Sequence, residues 1–182
     1  MADLTDLATV KQWLNIAATT DDALLTRLIT ATSNYIQSWL NRVIASQSYT
    51  ETRNGTGGTI LMFSNYPVTA VSSLTIDDVA IPLATNTTMA GYRFSNQQIF
   101  LQGYGFSRGM GNVTMAYTAG YAAVPQELAQ ACIELVSLRY RERDRIGHVS
   151  KSLAGETVVF SQKDMSDDIR TILNNYKKVI SL

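Results

Sequence analysis

One stretch limits the possible folds of this 182-residue chain more than any other: Asn112 to His148, NVTMAYTAGYAAVPQELAQACIELVSLRYRERDRIGH. Its hydrophobic period changes partway along. Val113, Met115 and Tyr117 alternate with Thr114, Ala116 and Thr118, the two-residue repeat of a half-buried strand. Gly120 breaks that strand. Pro125 stands where a first helical residue belongs, because its missing N–H would be unpaired there anyway. Glu127 sets a negative charge in the first turn, against the positive end of the helix dipole. Leu128, Cys132, Leu135 and Leu138 make an apolar stripe, widened by Ala131 and Val136. Arg139, Arg141, Arg143 and Arg145 load the C-terminal turns, and Gly147 offers a left-handed stop. A strand, a turn and an amphipathic helix in that order require both a sheet and a helical layer.

The N-terminal residues supply further helices. Asp3 to Ile16 reads as a short one, with Thr5 able to cap it and Leu7, Val10, Trp13 and Leu14 on one face. Thr20 or Asp21 caps the next, which the pattern carries to Val43. Leu24, Leu25, Leu28, Ile29, Ile36, Trp39, Leu40 and Val43 form its stripe, and it is the longest expected helix. Its partner is the helix from Pro125.

From Gln47 the pattern turns to short strands. Ser48 to Arg53 and Thr59 to Phe63 flank Asn54-Gly55 and Gly57-Gly58, a hairpin signal. Val71 to Ile76 and Val79 to Ile81 flank Asp77-Asp78, a second hairpin, and Tyr92 to Phe94 with Gln98 to Leu101 flank Ser95-Asn96-Gln97, a third. The glycine-rich run GYGFSRGMGN follows, before the strand at Val113. After Gly147 the chain turns polar, with only Thr157 to Phe160 strand-like. Ser166 caps a last helix to residue 180, with Asp167 and Asp168 at its start and Lys177-Lys178 at its end. Its stripe is Ile169, Ile172, Leu173, Tyr176 and Ile180; it either packs on its own domain or reaches a partner.

The expected fold class is α+β: a helical frame (helices 21–43, 125–146 and 166–180) carrying a β-rich insertion of short antiparallel strands. Residues 1–46 with 119–182 make the helical domain, and residues 47–118 the insertion. A chain of this length buries about 70% of the surface its unfolded form exposes, so its core needs no staple. One cysteine, Cys132, permits no internal disulfide and suits a reducing compartment. No run is long enough to span a bilayer, and no basic-then-apolar secretory start is present.

Catalytic and ligand chemistry finds little support. NGTGG lacks the lysine and following hydroxyl of a phosphate loop, and GYGFSRGMG has the wrong glycine spacing and opens a strand. One histidine, His148, and one cysteine sixteen positions away do not make a zinc site. No G-x-S-x-G elbow exists, and a cysteine in a helix stripe is inert. No enzyme, metal or cofactor is expected. The net charge of zero argues against a protein held to nucleic acid mainly by phosphate contacts. The arginine run has three readings: a solvated helix end laced by Glu142 and Asp144, a subunit interface, or a DNA contact.

The run YTAGYAAVPQELAQACIELVSLRYRERDRIG resembles the head–tail connector (adaptor) proteins of tailed bacteriophages, in which a strand ending in a Thr-Ala-Gly-Tyr-like turn leads through a proline into a helix with a basic end. LTDLATVKQWLNI followed by DDALLTRLITATSNYIQSWLNR agrees with the family's N-terminal half. The region from about Thr56 to Arg108 departs from it, being longer than in the smallest relatives. The resemblance implies a virion protein of the neck, made in the host cytoplasm. It implies a ring, dodecameric in many relatives, that joins head to tail beneath the portal protein. Its other partners would be a tail-side completion or terminator protein and packaged DNA passing through the lumen without sequence-specific binding; no membrane is involved. Candidate subunit or portal contacts are Arg139, Arg141, Arg143 and Arg145, with Ile169, Ile172, Leu173, Tyr176 and Ile180 of the last helix. The alternative is a nucleic-acid-binding module using the arginine-rich helix end.

Overall fold

Short polar side chains set the helix ends. A computed structural model describes residues 2–143, 150–153, 156–159 and 165–178. It is an α+β chain that divides into two compact units, residues 1–43 with 124–182 and residues 44–123.

In the helical unit, α1 (Leu7–Leu14) is capped by Asp6, not by Thr5: the carboxylate accepts the Thr9 N–H at 2.8 Å and the Thr9 hydroxyl at 2.9 Å. Two carboxylate oxygens satisfy two donors where one hydroxyl would satisfy one. The helix stops before Ile16 because Asn15 turns left-handed, at φ 56°. Trp13 does not share the buried face; it is 51% exposed, and Val10 alone of this helix is buried.

Helix α2 (Asp22–Leu40) is shorter than the expected 21–43. Asn41 adopts φ 54° and returns its N–H to the carbonyls of Gln37 and Ser38, which closes the helix. Asparagine tolerates this left-handed geometry better than most residues. Leu25, Ile29, Ile36 and Leu40 are buried as the stripe requires, but so are Thr32, Ser33 and Gln37. Lys11 bridges α1 to α2 through Asp22 at 2.6 Å.

Helix α3 (Gln126–Glu142) starts one residue later than expected. Pro125 sits at the capping position with extended ψ of 134°, and its carbonyl accepts the N–H groups of Leu128 and Ala129. The stripe is buried through Leu128, Ala131, Cys132, Leu135 and Val136, with Ile133 added and Leu138 half-buried. The expected end at 146 and the Gly147 stop lie outside the described residues. Strands β8 (Ser150–Leu153) and β9 (Glu156–Val159) pair antiparallel, so the polar segment carries a hairpin where a single strand was expected. Helix α4 (Asp167–Tyr176) is capped by Ser166, whose hydroxyl accepts the Ile169 N–H. It ends before Lys177, and Lys178 N–H instead meets the Leu40 carbonyl at 2.9 Å. Helices α1 and α4 each pack against both α2 and α3.

The β unit has two antiparallel sheets. The first orders β1 (Gln47–Gly55), β7 (Gly109–Ala119), β3 (Val68–Ile76) and β4 (Val79–Ala80); the second orders β2 (Ile60–Met62), β6 (Gln98–Gln102) and β5 (Gly91–Phe94). Asp77 and Asp78 both have positive φ, 50° and 63°, the backbone of a two-residue hairpin turn, and the β5–β6 hairpin also forms. The first expected hairpin does not. Strand β1 pairs with β7 and β2 pairs with β6. Asn54 and Gly55 serve that long ladder: Asn54 accepts from Gly111 N–H, and Asn112 accepts from Gly55 N–H. Strand β7 begins at Gly109, four residues before Val113, and ends at Gly120. That glycine has φ 117°, and a Cβ there would lie 2.5 Å from the Ala45 carbonyl oxygen. Leu61, Phe63, Leu74, Ile99, Leu101, Phe106, Val113, Met115 and Tyr117 form one apolar cluster within the unit.

Candidate interaction surfaces

The arginine run divides once its contacts are known. Arg139 donates to the Thr32 hydroxyl at 3.1 Å and lies over the Tyr35 ring at 4.9 Å, so it anchors α3 to α2. Arg143 donates to the Tyr140 carbonyl and stacks on the Tyr140 ring at 4.1 Å. Tyr140 in turn donates its hydroxyl to Asp21, a bond that holds the phenol above its ordinary pKa. Arg141 is exposed, and Arg145 lies outside the described residues. The run is therefore partly structural and does not present a continuous row of cations.

The last helix is an internal element. Ile169 and Leu173 are buried in the helical unit, and Ile172 and Tyr176 are half-buried. Tyr176 donates to Glu127 at 3.0 Å, Lys177 lies 4.4 Å from the centre of the Trp39 ring, and Arg42 donates to the Tyr176 carbonyl. Ile180 lies outside the described residues. Of the candidate residues on this helix, Ile172 and Tyr176 retain surface.

The β unit carries the features that sequence patterns missed. Its polar hub is Glu51, which accepts from the Tyr117 hydroxyl at 2.6 Å and from Ser64 through both hydroxyl and N–H, and pairs with Arg53 at 2.9 Å. Burial first, then the bond to Glu51, pushes the Tyr117 phenol up to about 12. Arg53 also donates to the Met62 carbonyl at 2.8 Å, tying the edge of β1 to the edge of β2. Beside this link an open groove of about 450 Å³ is lined by Arg53, Asn54, Thr56, Ile60, Leu61 and Met62. Ile60 and Met62 are each 51% exposed, and Met110 on β7 is 91% exposed. A three-residue strand at a sheet edge buries only its middle residue, Leu61, which is the one sequence cue to this surface.

Charge is scarce here. Residues 44–123 hold six charged side chains, Glu51, Arg53, Asp77, Asp78, Arg93 and Arg108, and no lysine. Interface centres share this composition: few lysines and acids, with methionine, arginine and aromatic residues enriched. Asp77 is held below the usual carboxylate range by hydrogen bonds from Ser107 and Asn112, which brace the turn. Among the described residues no group of three or more His, Cys, Asp or Glu is placed to hold a metal ion, and no helix is long and apolar enough to cross a membrane. Cys132 is buried, and that burial raises its thiol to about 11, so it stays protonated near neutrality.

A family model described as "Head completion protein" matches residues 3–179. Three similar solved structures come from gene transfer agent (GTA) particles. The neck of an empty particle, computed with C6 symmetry, gives a TM-score of 0.60 at 19% identity, covering 98% of this chain and 92% of that one. The neck of a native particle, computed with C12 symmetry, gives 0.57 at 20%, covering 97% and 90%. The virion of a native particle gives 0.58 at 19%, covering 98% and 92%. At these identities the likeness shows a shared fold. None of the curated proteins matches the sequence.

Proposed function

Because the chain belongs to the head completion protein family, we propose that it is a structural protein of the neck of a tailed phage-like particle, where it joins head to tail. The match over residues 3–179 carries this reading, and the fold shared with GTA neck proteins supports it. Copies would assemble as a closed ring through heterologous contacts, one face against a different face. The ring would sit beneath the portal, meet a tail-side completion or terminator protein, and let DNA pass through its lumen.

For the copy-to-copy contact the edge of β2 with its groove is the favoured surface. It exposes Ile60 and Met62 beside the ion-paired Arg53, and it lacks the lysines that normally guard a bare sheet edge. Arg141, Ile172 and Tyr176 form the candidate portal contact. Residues 44–123 carry no net charge, which suits a DNA conduit: many phosphate contacts would hold DNA back.

The test is native mass measurement with negative-stain imaging of the protein alone and mixed with portal. Rings, or collars on the portal, are the expected result. A protein that stays monomeric with portal yet shifts on duplex DNA, with steep salt dependence, overturns the reading.

A further inference from the structure

Helix α2 carries a polar ridge that the head-completion reading does not use. Thr30, Ser33 and Gln37 follow one another at three- and four-residue spacing, so they share a face of the helix. All three reach the same short segment. The Ser33 hydroxyl accepts the Leu4 N–H at 2.9 Å, the Gln37 amide donates to the Ala2 carbonyl at 3.1 Å, and the Thr30 hydroxyl donates to the Asp3 carboxylate at 3.1 Å. Two of these bonds read backbone and the third reads a carboxylate. Leu4 is the one buried side chain of the segment. The same Ser33 hydroxyl lies 3.6 Å from the Cys132 sulfur on α3.

We infer that residues Ala2–Leu4 form a strap that opens on its own, ahead of the helical unit it lies on, and that its opening uncovers Cys132. The strap is a terminal segment held by three hydrogen bonds and one leucine. The helices beneath it are held by a continuous core that includes Leu25, Ile29, Ile36, Leu128, Leu135 and Leu173. Terminal segments with so few contacts separate at a small fraction of the free energy of global unfolding. Once Leu4 leaves, Ser33 loses a partner and the α2–α3 seam at Cys132 loses its cover.

The chain supplies its own reporter, because Cys132 is its one cysteine. The test is the rate at which N-ethylmaleimide labels Cys132 in the full chain, followed by mass across urea concentrations below the unfolding transition. The rate should rise shallowly with urea, far less than global unfolding would require. Leu4→Ser should raise it about tenfold, and Thr30→Val, at an exposed position that leaves the core intact, about two- to threefold. Labelling of Leu4→Ser at the wild-type rate overturns the strap, as do rates in every variant that climb with the full urea slope of global unfolding.

Discussion

The four polar side chains buried among the described residues, Thr32, Ser33, Gln37 and Ser137, all belong to the helical unit, whereas seven of the eight large apolar side chains left exposed belong to the β unit. Charge divides in the same direction. Residues 44–123 carry six of the thirty charged side chains, and every lysine lies outside them. The helical unit has therefore brought polar groups inside, where they join segments far apart in sequence, and has left its charges in water. The β unit keeps an apolar core around Tyr117 and leaves Ile60, Met62 and Met110 outside, where water gives them no benefit. One surface suits solvent, and the other suits contact.

The largest effects should come from the two cores. Tyr117→Ala removes a ring stacked on Tyr49 at 5.6 Å and packed on Phe63 at 4.7 Å, and it also strips Glu51 of a donor. It should cost about 3–5 kcal/mol, seen as a lower urea midpoint by circular dichroism. Leu173→Ala should cost about 2–5 kcal/mol in the helical unit, read through Trp13 and Trp39, both of which lie there. A loss below about 1 kcal/mol would mean that α4 is not part of that core.

The contrast between the surfaces is sharpened by Met62→Glu. A charge on an exposed edge should change stability by no more than about 0.5 kcal/mol, while ring assembly weakens by about tenfold or more. Equal assembly of variant and wild type, by light scattering, would remove the β2 edge from the account.

A smaller difference separates wild type from Tyr117→Phe at high pH. The folded pKa of Tyr117, about 12, lies above its ordinary value of 10. Its contribution is thus complete below pH 10 and is lost as pH rises from 10 to 12. The gap between the two proteins should narrow over that range; a constant gap would mean the phenol is not held by Glu51. Smallest of all, Asp78→Gly should stabilise the β unit by a few tenths of a kcal/mol, because φ 63° strains an aspartate and not a glycine. The matching change at Asp77 should not help, since that carboxylate binds Ser107 and Asn112.

What the sequence disclosed was local. The α3 stripe, the Ser166 cap and the Asp77–Asp78 turn are encoded within a few residues, by period or by turn chemistry, and each forms. Partner choice over distance was not legible. Asn54-Gly55 carries a hairpin signal, yet β1 joins a strand more than fifty positions onward, where eleven residues of β7 offer a longer ladder than three of β2. Arg139 read as one of a cationic row because Thr32, its partner, is 107 positions away. Thr32, Ser33 and Gln37 looked like surface residues for the same reason: a polar side chain on a helix is buried only where a distant group satisfies it.

The most direct measurement is a cryo-EM reconstruction of the particle neck. The account requires a ring of this chain between portal and tail, with Ile60 and Met62 of each copy buried against the next. A neck without this chain, or a ring in which both side chains face solvent, would contradict it.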